Sequence, residues 1–309
     1  MLQKAPPVEA AFGFHQWPFL PIGTIGGRPG TLMAATELFD ITVGGRGGHA
    51  AMPHMVIDPI VAAAAVVTGL QSIVSRVYDP LDSAVVSVTM VHAGDAFNVI
   101  PDGAQICGTI RSLTNTGLND LRERVEVIAT SVAAAHRCNV TVSWSPDAYP
   151  PTVNNPDLFS FVQEIAGEAS ATGECPTCAE HGSARPSTCC RCLPIYQFPE
   201  RNRERLSCSR CSPIPLFLCA GKVEVINPTM GGEDFSFIAN EVPSVFLALG
   251  QGEQKFVGIA DDGSEFGPLD TRVTVHNSKF VFNEGLLRQG VALHAHLALQ
   301  QLAALRAGK

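Results

Sequence analysis

Strand and helix signals alternate between residues 37 and 146 in an order that restricts the possible folds. Period-two alternation of β-branched and apolar residues marks four strands. Apolar residues three and four apart, with Asp58 as an N-cap before one run, mark two helices. The predicted elements are Leu38–Val43, 58–77, Ala84–Val91, Gln105–Arg111, 118–132 and Cys138–Trp144. The order β-α-β-β-α-β is that of a ferredoxin-like domain.

The helix predicted over 118–132 carries one continuous apolar face. The members of this face are Leu118, Leu121, Val125, Ile128 and Val132. Charged residues such as Arg122 and Glu123 lie largely outside it. We therefore expect the helix to cover one side of the sheet.

Beyond residue 151 the regular pattern is interrupted once. A helix begins at Asn155-Pro156, and its pattern stops near Ala171. Residues 172–221 show neither a helical nor a strand period, and they are rich in Pro, Ser, Arg and Cys. Regular signals return in three elements, the strands Val223–Ile226 and Val245–Leu249 and a closing helix from Asn283 to about Leu305. The residues expected to pack this helix are Leu286, Val291, Leu293, Leu297 and Leu302.

Charge and composition argue against several classes of function. The length of 309 residues suggests about two domains, and the net charge of −8 leaves no basic surface for nucleic acid. We find no run of the ~18 apolar residues that span a membrane, and Met1–Glu9 lacks the layout of a signal peptide. Eight of the ten cysteines lie between Cys175 and Cys219, so they characterise one segment. We expect a soluble α/β protein without a nucleic-acid or membrane partner.

A first candidate site residue is His15, which ends an apolar strand-like run before Trp17-Pro18. A neutral imidazole in such a position can bind a metal ion. The alternative is a histidine packed on a loop.

A second candidate is His49, which follows the glycine-rich string Gly45-Arg46-Gly47-Gly48. Glycines allow the main chain to approach a ligand, and an imidazole can donate to an oxyanion. The alternative is an ordinary turn with two incidental histidines, since His54 follows nearby.

A third candidate pairs Glu233 and Asp234 after two glycines, with His276 some forty residues later. Adjacent acids on a turn usually lie on a solvated loop or at a helix N-terminus, where they bind free amides. The pair is therefore informative only together with the other two candidates.

Taken in this order, the three segments resemble the aminoacylase and carboxypeptidase-type dinuclear metallopeptidases. They are most similar to the hydrolases of indole-acetyl-amino-acid (IAA-amino acid) conjugates, hippurate and other N-acyl amino acids. The resemblance covers about 10–171 and 222–306. The strings that carry it are Gly-Arg-Gly-Gly-His-Ala-Ala-Met-Pro-His, Phe-Asn-Val-Ile-Pro and Met-Gly-Gly-Glu-Asp-Phe.

The resemblance implies a role for each candidate residue. His15 and His276 match metal-ligand histidines of a site for two divalent ions, which are zinc, manganese or cobalt in such enzymes. His49 matches a lid histidine that reaches the substrate carbonyl, often across a homodimer. The residues implied in substrate or dimer contacts, or at the border of the pocket, are Asn98, Arg111, Glu233 and Asp234. The implied reaction is hydrolysis of the amide bond of an N-acyl amino acid.

The resemblance also implies an architecture, a zinc-peptidase-like catalytic domain with an inserted lid that dimerises. The predicted segments are a partial catalytic domain over 1–36, a ferredoxin-like lid over 37–151, catalytic domain again over 152–171, an irregular insertion over 172–221 and the C-terminal part of the catalytic domain over 222–309.

Two motifs of the family do not occur in these 309 residues. The His-x-Cys-Gly-His-Asp and Gly-Glu-Glu strings precede the segment of His15 in the family, and they carry the catalytic base and three of five metal ligands. We interpret the chain as an N-terminally truncated copy and expect it to be inactive alone. His276 also departs from the family, since it lies in Val-His-Asn rather than Leu-His-His.

The cysteine-rich insertion leaves two interpretations open. Cys175 with Cys178 and Cys208 with Cys211 resemble two zinc knuckles, although their separation exceeds the usual ~15–20 residues. The alternative is translated non-coding sequence, since the insertion interrupts the family pattern. Two other functions therefore stay open, a non-catalytic binding and dimerisation fragment and a Cys-cluster zinc protein.

Overall fold

The computed structural model describes residues 7–22, 24–171, 223–252, 255–259, 265–270, 273 and 275–306, without the side chains of 167–171, 255–269, 285 and 288. The predicted insertion and its four knuckle cysteines lie outside the described residues. The chain divides into two compact units. The first contains Gly30–Asn154 and Asn227–Pro243, and the second contains the described parts of Ala10–Pro29, Asn155–Ile226 and Ser244–Lys309.

The described elements are fourteen strands, five α-helices and two short turns of helix. The strands are β1 (Ala11–Trp17), β2 (Ile25–Gly27), β3 (Gly30–Met33), β4 (Ala35–Gly44), β5 (Gly48–His49), β6 (Ala84–Ala93), β7 (Val99–Ile100), β8 (Gly103–Ser112), β9 (Asn139–Trp144), β10 (Thr152–Asn154), β11 (Val223–Val225), β12 (Ser244–Gly250), β13 (Lys255–Ile259) and β14 (Glu265–Asp270). The helices are α1 (Pro59–Leu70), α2 (Asn115–Ala135), α3 (Pro156–Ala171), α4 (Phe235–Glu241) and α5 (Gly285–Arg306). The turns are a 3₁₀ turn at Pro53–Met55 and a π-helical turn at Ile73–Val77.

The first unit contains the predicted ferredoxin-like domain. Its antiparallel sheet has the order β6-β8-β4-β9, and α1 and α2 pack on one face. Along β4, residues facing the helices alternate with exposed ones, as in Phe39 beside Leu38. The predicted hairpin is confirmed, because β6 pairs with β8 along its length. The fold class expected from the sequence is therefore correct.

The helix α1 with its π-helical extension is the one candidate for a membrane span among the described residues. Pro59–Val77 has a mean hydropathy of 1.7 and is long and apolar enough, by length and composition alone, to cross a membrane. The sequence showed no unbroken apolar run because Thr68, Gln71 and Arg76 interrupt it. Ala62, Val66 and other inward residues are buried in the core of the first unit. A core helix passes the same test of length and composition, so this finding is weak evidence for a membrane.

The helix α2 covers the sheet as predicted, with one shift of its inner face. Leu118, Leu121 and Val125 are buried. Further along, Ala129 and Ala133 take the buried positions, and the predicted Ile128 and Val132 are only partly buried. Small alanines allow close approach to neighbouring elements, and α2 packs directly against α1.

The second unit is built on a mixed four-stranded sheet with the order β1-β12-β2-β11. β12 runs parallel to β1 and antiparallel to β2, and β11 runs parallel to β2. β12 is buried along its whole length, as a central strand covered on both faces should be. One face holds a core shared with α3 and α5, in which Leu247, Phe159 and Leu297 are buried.

The closing helix packs through only part of its predicted face. Leu286, Leu293 and Leu297 are buried, whereas Val291 is 70% exposed and Leu302 is 51% exposed. The prediction that Val291 and Leu302 pack was wrong. Both side chains lie roughly 140–160° around α5 from Leu286, on the face opposite the buried Leu286, Leu293 and Leu297.

Candidate functional site

His49 lies on a short ribbon that a tight glycine turn sets up. The N–H of Gly47 donates to Asp102 Oδ1 at 2.8 Å. A Cβ on Gly47 would overlap the carbonyl oxygen of Ile100, so the turn requires glycine there. This explains why the sequence has glycine before the histidine.

The same ribbon places His49 beside Asn98. β5 pairs antiparallel with β7, with His49 opposite Val99. The N–H of Ala50 donates to the carbonyl oxygen of Asn98 at 3.0 Å. His49 and Asn98 are both exposed, so the two predicted site residues share one accessible surface of the first unit.

A main-chain hydrogen bond fixes the neutral tautomer of His49. The N–H of Ala51 donates to His49 Nδ1 at 3.1 Å. Because a main-chain N–H only donates, Nδ1 is the acceptor, and the proton of the neutral ring lies on Nε2. His49 can therefore donate a hydrogen bond from Nε2 to a carbonyl oxygen.

His15 has the opposite tautomer. It lies on β1 opposite Ala248 of β12, between the rings of Trp17 and Phe246. Its Nδ1 is 2.6 Å from the carbonyl oxygen of Gln16. A carbonyl oxygen only accepts, so Nδ1 carries the proton and the neutral ring keeps the lone pair of Nε2. Metal-binding histidines are oriented by this kind of N–H contact.

Arg111 connects the loop of the paired acids to the four-stranded sheet of the first unit. Its Nη1 donates to the carbonyl oxygen of Met230 at 2.9 Å, and it lies 3.4 Å from Thr36 Oγ1. Burial lowers the pKa of Arg111, but an arginine stays cationic at any physiological pH. The N–H of Ala34 donates to the carbonyl of Gly231 at 2.9 Å and holds the same loop. Arg111 and the Met230–Asp234 loop are thus brought together in the first unit.

The paired acids stand directly before α4. Asp234 is exposed at the N-cap position, and Glu233 Oε1 accepts the N–H of Phe235 at 3.5 Å. The carboxylates therefore lie at a helix N-terminus, where negative charge is favourable. The segment Asn227–Pro243 belongs to the first compact unit.

His276 lies in an exposed turn of the second unit. Its φ is +67°, in the left-handed region that few residues other than glycine adopt. The described ranges contain no group of three or more His, Cys, Asp or Glu side chains placed to hold a metal ion.

Comparison with known proteins extends these observations. Residues 38–137 match the family model of the peptidase dimerisation domain. IAA-amino acid hydrolase ILR1-like 2 from Arabidopsis thaliana is 35% identical over 298 residues, which is 96% of this chain and 53% of that protein. N-acetylcysteine deacetylase from Bacillus subtilis is 43% identical over 164 residues, which is 53% of this chain and 42% of that protein.

A solved structure agrees in fold. A dinuclear metal-binding peptidase of the M20 family from Bacillus subtilis superposes with a TM-score of 0.61 and 24% identity, over 96% of this chain and 58% of that one. Residues 38–137 belong to the peptidase dimerisation domain family. The chain spans about half the length of the curated relatives that it matches.

Metal ions such as those of the dinuclear peptidase would fit the residues of this chain in part. The lone pair of His15 Nε2 is a suitable nitrogen donor, and its Nδ1–H contact orients the ring. His276 is accessible but stands in a turn whose neighbours are Val275 and Asn277. His15 and His276 are thus the two candidate nitrogen ligands among the described residues.

Two residues that matter for the site were missed in the sequence. Ala51 acts through its main-chain N–H, which leaves no mark in the side-chain pattern. Gln251 is a fully buried polar residue directly after the apolar strand β12. An isolated glutamine at the end of such a strand is the signal that could have found it.

Proposed function

We propose that this chain is part of a metal-dependent hydrolase that removes the acyl group from N-acyl amino acids, with IAA-amino acid conjugates among the candidate substrates. The names of the relatives support amide hydrolysis of this class. The observation that carries the proposal is the Ala51 contact to His49 Nδ1, because it leaves an exposed N–H donor for the amide carbonyl.

The remaining site residues take supporting roles in this proposal. His15 and His276 hold metal ions through imidazole nitrogen, and Asn98 meets the substrate beside His49. Arg111 holds the loop of Glu233 and Asp234 in place through the Met230 carbonyl. Two bound divalent ions, zinc, manganese or cobalt, would supply a polarised carbonyl and an activated water.

The 309 residues assayed alone are expected to show no turnover. They contain neither of the two family strings that carry the base and most metal ligands. The measurement is release of free amino acid from N-acetyl, N-benzoyl and N-indolylacetyl amino acids with added zinc, manganese or cobalt, together with the metal content. Turnover would show that the chain builds a site from other residues.

A chimaera tests the catalytic proposal itself. Residues 37–151 replace the corresponding lid of N-acetylcysteine deacetylase, which matches this chain at 43% identity. The chimaera is expected to hydrolyse N-acetylcysteine because the donor at His49 is supplied by this lid. A folded, metal-loaded chimaera without activity would contradict the proposal.

The same lid is proposed to form a homodimer. β6 is an edge strand of its sheet, with β8 as its neighbour among the described strands. Apolar side chains near this edge are exposed, including Val77 at 48%, Leu81 at 92% and Val91 at 54%. An open edge flanked by exposed apolar groups is suited to pairing with a second copy. The match to a dimerisation domain supports this proposal.

A further inference from the structure

The residue that follows β12 is a glutamine enclosed completely in the second unit. Gln251 is 0% exposed. A buried amide is costly unless its donor and acceptor are both hydrogen-bonded. Its partners therefore indicate what it does.

The side chain of Gln251 binds the main chain ahead of α5 at two points. Nε2 donates to the carbonyl oxygen of Val281 at 3.0 Å, and Oε1 accepts the N–H of Asn283 at 3.0 Å. One side-chain amide thus engages both a carbonyl and an N–H of the same stretch, as a peptide group does in a β ladder. The carbonyl of Asn283 in turn accepts the N–H of Leu286 in the first turn of α5.

The main chain of Gln251 is tied to the end of β1. Its N–H donates to the carbonyl oxygen of Trp17 at 3.0 Å, two residues beyond His15. Immediately after it, the N–H of Gly252 donates to the carbonyl of Leu20 at 2.8 Å. Gln251 therefore connects the strand of His15 with the stretch 281–283.

We propose that Gln251 is a positioning residue that holds the segment following His276 in register with the strand of His15. The inference rests on the proposed function, in which both histidines bind metal. Val281 follows His276 by five residues. The N–H of Phe280 donates to the carbonyl oxygen of Asn277 at 2.9 Å, and this turn shortens the path from His276 to Val281. Metal ligands must lie within a few tenths of an ångström of their ideal distances, so a loose segment weakens binding.

The test compares Gln251→Met, which keeps the side-chain length but loses the amide, with Leu297→Ala, which destabilises the same unit without touching the amide contacts. Gln251→Glu, which keeps only the acceptor for Asn283, is the second variant. The readouts on the full chain are hydrogen exchange of residues 275–283 without metal, and Co²⁺ affinity by calorimetry with His276→Ala as reference.

Gln251→Met is expected to raise exchange across 275–283 and to weaken the His276-dependent Co²⁺ affinity by about tenfold. Gln251→Glu is expected to show hydrogen exchange and a Co²⁺ affinity between those of Gln251→Met and the wild type. Leu297→Ala should lower the melting temperature and change neither readout. If Gln251→Met exchanges like Leu297→Ala, the positioning role is overturned. Equal Co²⁺ affinity of wild type and His276→Ala would instead refute the metal role of His276, and the ligand-positioning role with it.

Discussion

The chemistry available at His49 and His15 is decided by single main-chain contacts. The N–H of Ala51 makes Nδ1 of His49 an acceptor, and the carbonyl of Gln16 makes Nδ1 of His15 a donor. Two histidines of the same chain therefore present opposite groups at Nε2, a donor in one and a lone pair in the other. Motif spacing located both residues, but it carried no information about their tautomers.

The tautomers are directly measurable. Two-bond ¹⁵N–¹H correlation spectra of the neutral rings are expected to show the proton on Nε2 of His49 and on Nδ1 of His15. The variants His49→Gln and His15→Gln assign the two signals. The reverse pattern at His49 would remove the proposed donor to the substrate carbonyl.

Glu37 gives a prediction on pH dependence. It is 4% exposed, with Arg122 Nη1 at 3.3 Å. Burial raises the pKa of Glu37, and the nearby Arg122 opposes this only in part. The Glu37 carboxyl therefore holds its proton more tightly in the folded protein than in the unfolded chain. The free energy of unfolding falls as pH rises from the pKa of this carboxyl in the unfolded chain through its higher pKa in the folded protein.

Replacing Glu37 by glutamine isolates the contribution of its carboxyl to the pH dependence of the free energy of unfolding. In urea unfolding between pH 4 and pH 7, the free energy of unfolding of the wild type is expected to fall relative to that of Glu37→Gln as pH rises. A difference that stays constant, or that changes in favour of the wild type, would show that the Arg122 ion pair outweighs the cost of burial.

At the scale of elements, Gly108 in the middle of β8 permits the sheet to pack. A Cβ there would overlap the carbonyl oxygen of Ser87 and the ring of Phe39. Gly108→Ala is expected to lower the free energy of unfolding by about 2 kcal/mol, since neighbours on two strands must move. Gly44→Ala is the matched control, because the nearest atom to its Cβ would be 3.9 Å away. Equal unfolding curves for the two variants would contradict this account.

Periodicity predicted the elements because it reports which side of a strand or helix faces a core. The strands around Phe39 and Val142 and the helix through Leu121 follow this rule. Val291 and Leu302 do not follow it, because each lies roughly 140–160° around α5 from Leu286 and faces away from the core that buries Leu286, Leu293 and Leu297. Apolar residues predict a buried helix face only where they recur three or four positions apart.

The exposed groups beside β6 give a prediction about assembly. The double variant Val77→Asp, Leu81→Asp is expected to convert the proposed homodimer to a monomer, because charge on the paired surface must be desolvated. Light scattering coupled to size exclusion measures the mass. Val127→Asp on α2, where Val127 is 57% exposed, is the matched control and should leave the dimer intact. A monomeric wild type at micromolar concentration would contradict the homodimer.

At the scale of the whole molecule, the candidate residues divide between the two compact units. His49, Asn98, Arg111, Glu233 and Asp234 belong to the first unit, and His15 and His276 belong to the second. The sequence predicted all seven from short strings typical of a family. The place of Asn227–Pro243 in the first unit depends on long-range bonds such as Arg111 to Met230, which no local pattern contains.

Whether His49 donates to the substrate carbonyl is measured in the chimaera that carries residues 37–151 in N-acetylcysteine deacetylase. The measurement is kcat and KM for N-acetylcysteine in the chimaera and in its His49→Ala variant. We expect kcat to fall by about 10²–10³ with little change in KM, since the donor acts on charge that develops during the reaction. An unchanged kcat, with the variant folded and metal-loaded, would show that His49 is not this donor.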